Sequence, residues 1–151
     1  IDVAMIFDTW GSLLNDEQYE KFSLRYINKI KNAIANQDIP LIYYVRETGR
    51  KLEALKNLNI DVLGIDSTTE IGVIKKQIGN KFALQGNLNV NILKKDESDI
   101  IAAIKDILTS YGSNSGHIFN LGTGITPDIN PDKVKMLIDN LADISSKFHV
   151  K

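Results

Sequence analysis

The sequence predicts an α/β protein built on a parallel sheet, and three observations predict it. Five short apolar segments, residues 3–7, 41–45, 62–65, 82–84 and 117–121, alternate with longer segments whose apolar residues recur at helical spacing. The short segments lack the in/out alternation of a half-exposed sheet, as parallel strands covered on both faces do. The repeat is about 30 residues, the size of one βαβ unit, and no linker or low-complexity stretch interrupts it. The 151 residues read as a single domain, 1–151. Strict alternation suits an open doubly wound sheet or a barrel. An eight-fold barrel needs about 250 residues, so this length holds part of one.

Each helix has its own signals. Asn15, with Gln18 three residues on, forms a capping box. The stripe Tyr19, Phe22, Tyr26, Ile30 and Ala33, flanked by Ile27 and Ile34, follows it. Leu52 and Leu55 mark a short helix. Ile71, Ile74 and Ile78 mark another, closed by Gly79. Asp96 is placed to cap a helix carrying Ile100, Ile101, Ile104, Ile107 and Leu108, stopped near Gly112. Asn130-Pro131 opens the last helix, with proline at its first position, and its stripe is Val134, Leu137, Ile138, Leu141 and Ile144.

Composition narrows the function. Apolar residues make up 43% and charged residues 25%, an ordinary globular balance, and the net charge of −1 marks no nucleic-acid or anionic-membrane surface. No cysteine is present, which excludes disulfides and thiolate metal sites. No apolar run approaches the roughly 18 residues of a membrane span, and no signal peptide is visible, so a cytoplasmic protein is expected. The chain lacks an initiator Met and runs from Ile1 straight into an apolar strand. Domains seldom begin inside a core strand, so a preceding N-terminal portion is expected.

In parallel α/β folds the chemistry sits at the C-terminal ends of the strands. There the sequence places Asp8-Thr9-Trp10, Arg46-Glu47-Thr48-Gly49-Arg50, Asp66-Ser67-Thr68-Thr69, Gln85-Gly86-Asn87 and Gly122-Thr123-Gly124-Ile125-Thr126-Pro127-Asp128. Arg46 and Arg50 suit a carboxylate clamp, through forked donors, and equally ion pairs with Glu47 and Glu53. Asp8 and Asp66 suit ligand contact or the tying of loop amides, the latter favoured for Asp66. Gly122-Thr123-Gly124 lacks the further glycine and the acidic residue of a dinucleotide fingerprint. His117, at a strand start, reads as structural, and His149, near the chain end, as solvated. No Ser-His-Asp, His-x-x-Glu-His or Cys-x-x-Cys pattern occurs.

These strand-end segments carry a resemblance. Ile6-Phe7-Asp8-Thr9-Trp10-Gly11, Leu63-Gly64-Ile65-Asp66 with Thr68-Thr69, Ala83-Leu84-Gln85-Gly86-Asn87-Leu88, and Gly116-His117-Ile118-Phe119-Asn120-Leu121-Gly122 with Gly124-Ile125-Thr126-Pro127-Asp128 resemble, in order, segments of the uroporphyrinogen decarboxylase family. The resemblance implies five parallel βα units forming the C-terminal part of a TIM (β/α)8 barrel, about two-fifths of it, and a homodimer with facing clefts. It implies cofactor-free conversion of uroporphyrinogen III to coproporphyrinogen III and four CO2, the pyrrole ring serving as electron sink. Thr9 matches a hydroxyl residue that contacts substrate carboxylate, and Phe7 an aromatic that packs on the tetrapyrrole. Arg46 stands where many members have lysine, so Phe7, Asp8, Thr9, Arg46 and Thr123 are the expected substrate-binding residues, with no metal ligand among them.

The departures are specific. Thr123 replaces a histidine, Ser67 a tryptophan, and Asn89-Val90 an Asp-Pro pair. The pyrrole-gripping aspartate, the N-terminal arginines and an active-site tyrosine belong to the portion expected upstream. The 151 residues alone are therefore expected to be inactive and to associate through open barrel edges. A zinc-dependent methyltransferase of the same superfamily is disfavoured by the missing cysteines, and a non-catalytic paralogue is the main rival.

Overall fold

The computed structural model describes residues 1–148, and His149 lies outside them. Strands β1 (Ala4–Asp8), β2 (Leu41–Val45), β3 (Val62–Gly64), β4 (Ala83–Leu88) and β5 (His117–Leu121) form one sheet in that order, every neighbouring pair parallel. The helices are α1 (Asp16–Tyr19), α2 (Arg25–Ile34), α3 (Thr48–Leu55), α4 (Ile71–Ile78), α5 (Glu97–Tyr111) and α6 (Pro131–Ser145).

The strand order decides between the two architectures that alternation leaves open. A doubly wound sheet reverses its order at a switch point and carries helices on both faces. Crossovers that always step the same way place the helices on one face, as a barrel requires. The sheet is therefore an arc of a (β/α)8 barrel.

Alternation along the strands divides its two faces. Leu41, Tyr43, Val45, Leu63 and Leu84 point to the helices and pack with Leu24, Ile27, Leu52, Leu55, Ile71 and Ile74. Burial of each such aliphatic side chain is worth about 1.5–3 kcal/mol. A second cluster joins Leu88 to Ile100, Ile104 and Leu108 of α5 and Leu137 of α6. The other face carries, in register, the row Phe7, Tyr44, Gly64, Gln85 and Ile118. Phe7 is 67% exposed and Ile118 42%, so burial on both faces, expected of all strands, fails for β1 and β5. They are the outer strands of the arc, with one neighbour each.

Most helix signals operate as read. Asn15 Oδ1 accepts from Gln18 N at 2.9 Å, and Gln18 Oε1 accepts from Asn15 N at 3.3 Å. Asn130 accepts from Asp132 N, with Pro131 next in the chain. Gly79 and Gly112 end α4 and α5. Asp96 precedes α5 without a side-chain capping bond.

The first helical stripe is a correction. Residues Glu20–Leu24 form a π turn between α1 and α2, and the wider turn shifts the phase of α2 relative to α1. Tyr19, Leu24 and Ile27 are buried, whereas Phe22, Tyr26 and Ile30 face outward. Strand β4 also runs four residues beyond the expected 82–84, because Gln85-Gly86-Asn87 continues the ladder.

Candidate functional site

An open cavity of about 430 Å³ lies at the C-terminal ends of the strands on the face without helices. Met5, Phe7 and Thr9 from β1 and its loop line one side, Tyr44 and Arg46 the next, and Gly64, Ile65 and Gln85 the floor. Asn120 and the turn Leu121 to Ile125 close the far side. Four of the five expected substrate-binding residues, Phe7, Thr9, Arg46 and Thr123, therefore share one cleft.

Asp8 does not join them. Strand parity turns it to the opposite face, where its Oδ2 accepts from Tyr43 Oη at 2.8 Å and from Ser23 Oγ. Tyr19 Oη lies 2.6 Å from Tyr43 Oη in the same buried network. Burial pushes both phenols well above the ordinary tyrosine range. Gly11 is required beside this carboxylate, because a Cβ there would lie 2.5 Å from Asp8 Oδ2. Asp8 thus anchors the end of β1 to the helical layer rather than contacting the cleft.

The two arginines separate just as clearly. Arg50 pairs with Glu47 on the surface, and Glu53 with Lys56 at 2.6 Å. Arg46 lines the cleft with its guanidinium 5.3 Å from the Trp10 ring centroid, a cation–π arrangement. Burial, then the charge of Asp66, raises the Tyr44 phenol, and Arg46 opposes the rise.

Asp66 holds the loop that presents Arg46. Its carboxylate accepts from Glu47 N (3.1 Å), Thr48 N (3.3 Å) and Thr68 Oγ1 (3.0 Å). The turn needs such support because Glu47 adopts the left-handed region at φ 51°. This is the amide-tying role favoured for Asp66 from sequence.

The turn after β5 is fixed from two sides. Gly122 N donates to Leu88 O (2.8 Å), and Tyr44 Oη donates to Gly122 O (3.0 Å). A Cβ on Gly122 would lie 2.5 Å from Ser67 N, so glycine lets the turn pack against the β3 loop and brings Thr123 to the cleft. His117 stacks on Tyr111 with ring centroids 4.5 Å apart, its Nε2 2.9 Å from Gly86 O, consistent with a structural role.

Sequence reasoning set Gln85 at a strand end but named neither it nor Tyr44 and Gly64 as expected binding residues. The signal was available: counting alternate residues from Phe7 through the strand register reaches each of them.

Fold and cleft together define a (β/α)8-barrel wall whose strand ends gather one arginine and several hydroxyl and amide groups in one cleft. Comparison with known proteins makes the assignment particular. The family described as Uroporphyrinogen decarboxylase (URO-D) matches residues 1–144, and the chain belongs to that family. A uroporphyrinogen decarboxylase of Tolumonas auensis is 41% identical over 152 residues, covering 98% of this chain and 43% of its own. One from Coxiella burnetii is 42% identical over 150 residues, covering 97% and 42%. The chain thus spans less than half the length of these relatives, and corresponds to a C-terminal portion of them. A solved methyltransferase from Methanosarcina mazei superposes with a TM-score of 0.79 at 19% identity, over 94% of this chain and 42% of that one. That likeness is one of fold. Among the described residues no helix is long and apolar enough to cross a membrane.

Proposed function

We propose that this chain forms one wall of the active-site cleft of a decarboxylase that converts uroporphyrinogen III to coproporphyrinogen III with release of four CO2, without a cofactor. The observation that carries the reading is the convergence of Phe7, Thr9, Arg46 and Thr123 on a single cleft in a chain of this family. In each step the pyrrole ring takes up a proton and the bond from the acetate methylene to its carboxylate breaks. The electron pair passes into the ring and CO2 leaves. A proton then adds to the methylene to give a methyl group, and the ring returns its own proton.

The residues here bind and orient. Arg46 pairs with a side-chain carboxylate through charge-assisted hydrogen bonds. Thr9 and Thr123 donate hydroxyls, and Phe7 packs on the ring. Thr123 carries no charge, so it holds a carboxylate less firmly than the histidine found at this place in the family.

The test is the full-length protein assayed for coproporphyrinogen. Product should form, Arg46→Met should lower kcat/KM about ten- to hundredfold through loss of a charged hydrogen bond, and Thr123→His should raise it. A folded full-length protein that makes no product would favour a non-catalytic paralogue, the reading that Thr123 and Ser67 support.

The same family reading makes the working protein a cytoplasmic homodimer with facing clefts. Outward-facing Phe7, Phe22, Tyr26 and Ile30 and the open edges of β1 and β5 support association of the 151-residue chain with copies of itself. Sedimentation at micromolar concentration should show oligomers, and a stable monomer would count against this.

A further inference from the structure

Tyr44 makes a link that the sheet ladder cannot. Backbone bonds join only adjacent strands, but Tyr44 Oη donates to Gly122 O at 3.0 Å across 78 positions, from β2 to the turn after β5. Gly64 on β3 leaves room for this reach: a Cβ there would lie 3.0 Å from Tyr44 Cβ and 3.2 Å from its Cδ2. Phe7 supports the ring from β1, with centroids 6.0 Å apart and planes tilted by 56°. The ring thus runs along the cleft face from Phe7 toward the β5 turn.

The hydroxyl is committed to this link. A phenol carries one proton, and Tyr44 donates it to the Gly122 carbonyl. Burial, then the charge of Asp66, raises its pKa, so the proton stays in place through neutral pH. The bond adjoins two cleft groups. Arg46 follows Tyr44 by two residues, with the same facing, and Thr123 follows Gly122 directly; both line the cleft. Beyond Thr123 packing gives little hold, because a Cβ on Gly124 would meet nothing within 4 Å.

We propose that Tyr44 is a positioning residue for substrate carboxylate binding: through Gly122 O it holds Thr123 at a fixed place in the cleft shared with Arg46. This rests on the decarboxylase reading of the cleft, and the test separates the two. Full-length wild type, Tyr44→Phe, Thr123→Val and the double variant are assayed with uroporphyrinogen III for KM and kcat. Amide hydrogen exchange is measured along the wild type and Tyr44→Phe.

Tyr44→Phe should raise KM about fivefold, the worth of one hydrogen bond, with kcat kept within about twofold. Thr123→Val should raise KM as much, and the double variant no further, because both changes remove the same contact. In Tyr44→Phe, exchange should quicken at Thr123 and Gly124 and stay unchanged in β1 to β4. Additive effects in the double variant, wild-type KM in either single variant, or quickened exchange throughout overturn the role of Tyr44 and leave the decarboxylase reading standing. So does a Tyr44→Phe protein that does not fold, since the hydroxyl then serves the fold alone. A folded wild type that forms no coproporphyrinogen overturns the decarboxylase reading itself, and this role with it.

Discussion

The two faces of strand β1 differ in what their polar groups have left to give. Toward the helices, Asp8 is spent: Ser23 and Tyr43 donate to it and Tyr19 adjoins them. Toward the cleft, Phe7 is exposed and neither Phe7 nor Thr9 is tied into such a network. Adjacent residues thus serve the core and the lining of the cleft separately. An acidic residue in a strand-end motif therefore need not face the ligand, because parity along the strand decides which side it serves.

The sharpest way to break this division is in the core. Leu63→Ala, beneath the helices with no solvent exposure, should lower stability by about 2–5 kcal/mol through the cavity it leaves, read by chemical denaturation. Asp8→Ala should cost about 2 kcal/mol, because the Tyr43 and Ser23 hydroxyls lose their acceptor. Phe7→Ala on the other face should stay within about 0.5 kcal/mol. Equal losses from Asp8→Ala and Phe7→Ala would end the comparison.

The smallest effect lies on the far rim. Asp128 accepts from Lys94 and Thr126, which hold its carboxyl down at about 2. Because the folded value lies below the ordinary 3.8, the associated stabilisation is present above that ordinary value. It disappears as pH falls toward about 2. Lys94→Met should return the Asp128 midpoint toward the ordinary carboxylate range, seen by NMR titration of its side-chain carboxyl.

What the sequence revealed depended on the kind of signal. The five strands and their parallel pairing could be read because buried parallel strands are apolar and short. The helix ends at Gly79, Gly112 and Asn130-Pro131 could be read because cap chemistry is local. The phase of α1 and α2 could not: a π turn leaves no mark in a stripe of apolar residues, so Phe22 and Ile30 looked buried. Strand β4 looked short because Gln85 and Asn87 are polar, yet both belong to the ladder, Gln85 lining the cleft and Asn87 bonding the loop after β3. The facing of Asp8 was hidden by its place between two cleft residues, Phe7 and Thr9. Only pairing register, which depends on residues some 35 positions away such as Tyr43, resolves it.

The strand order β1-β2-β3-β4-β5 also bears on how the chain assembles. Each of β2 to β5 pairs with the strand synthesised just before it, so none of these four ladders waits for a distant segment. Each pairing spans one βα unit and never the whole arc. The arc can therefore grow one βα unit at a time as the polypeptide leaves the ribosome.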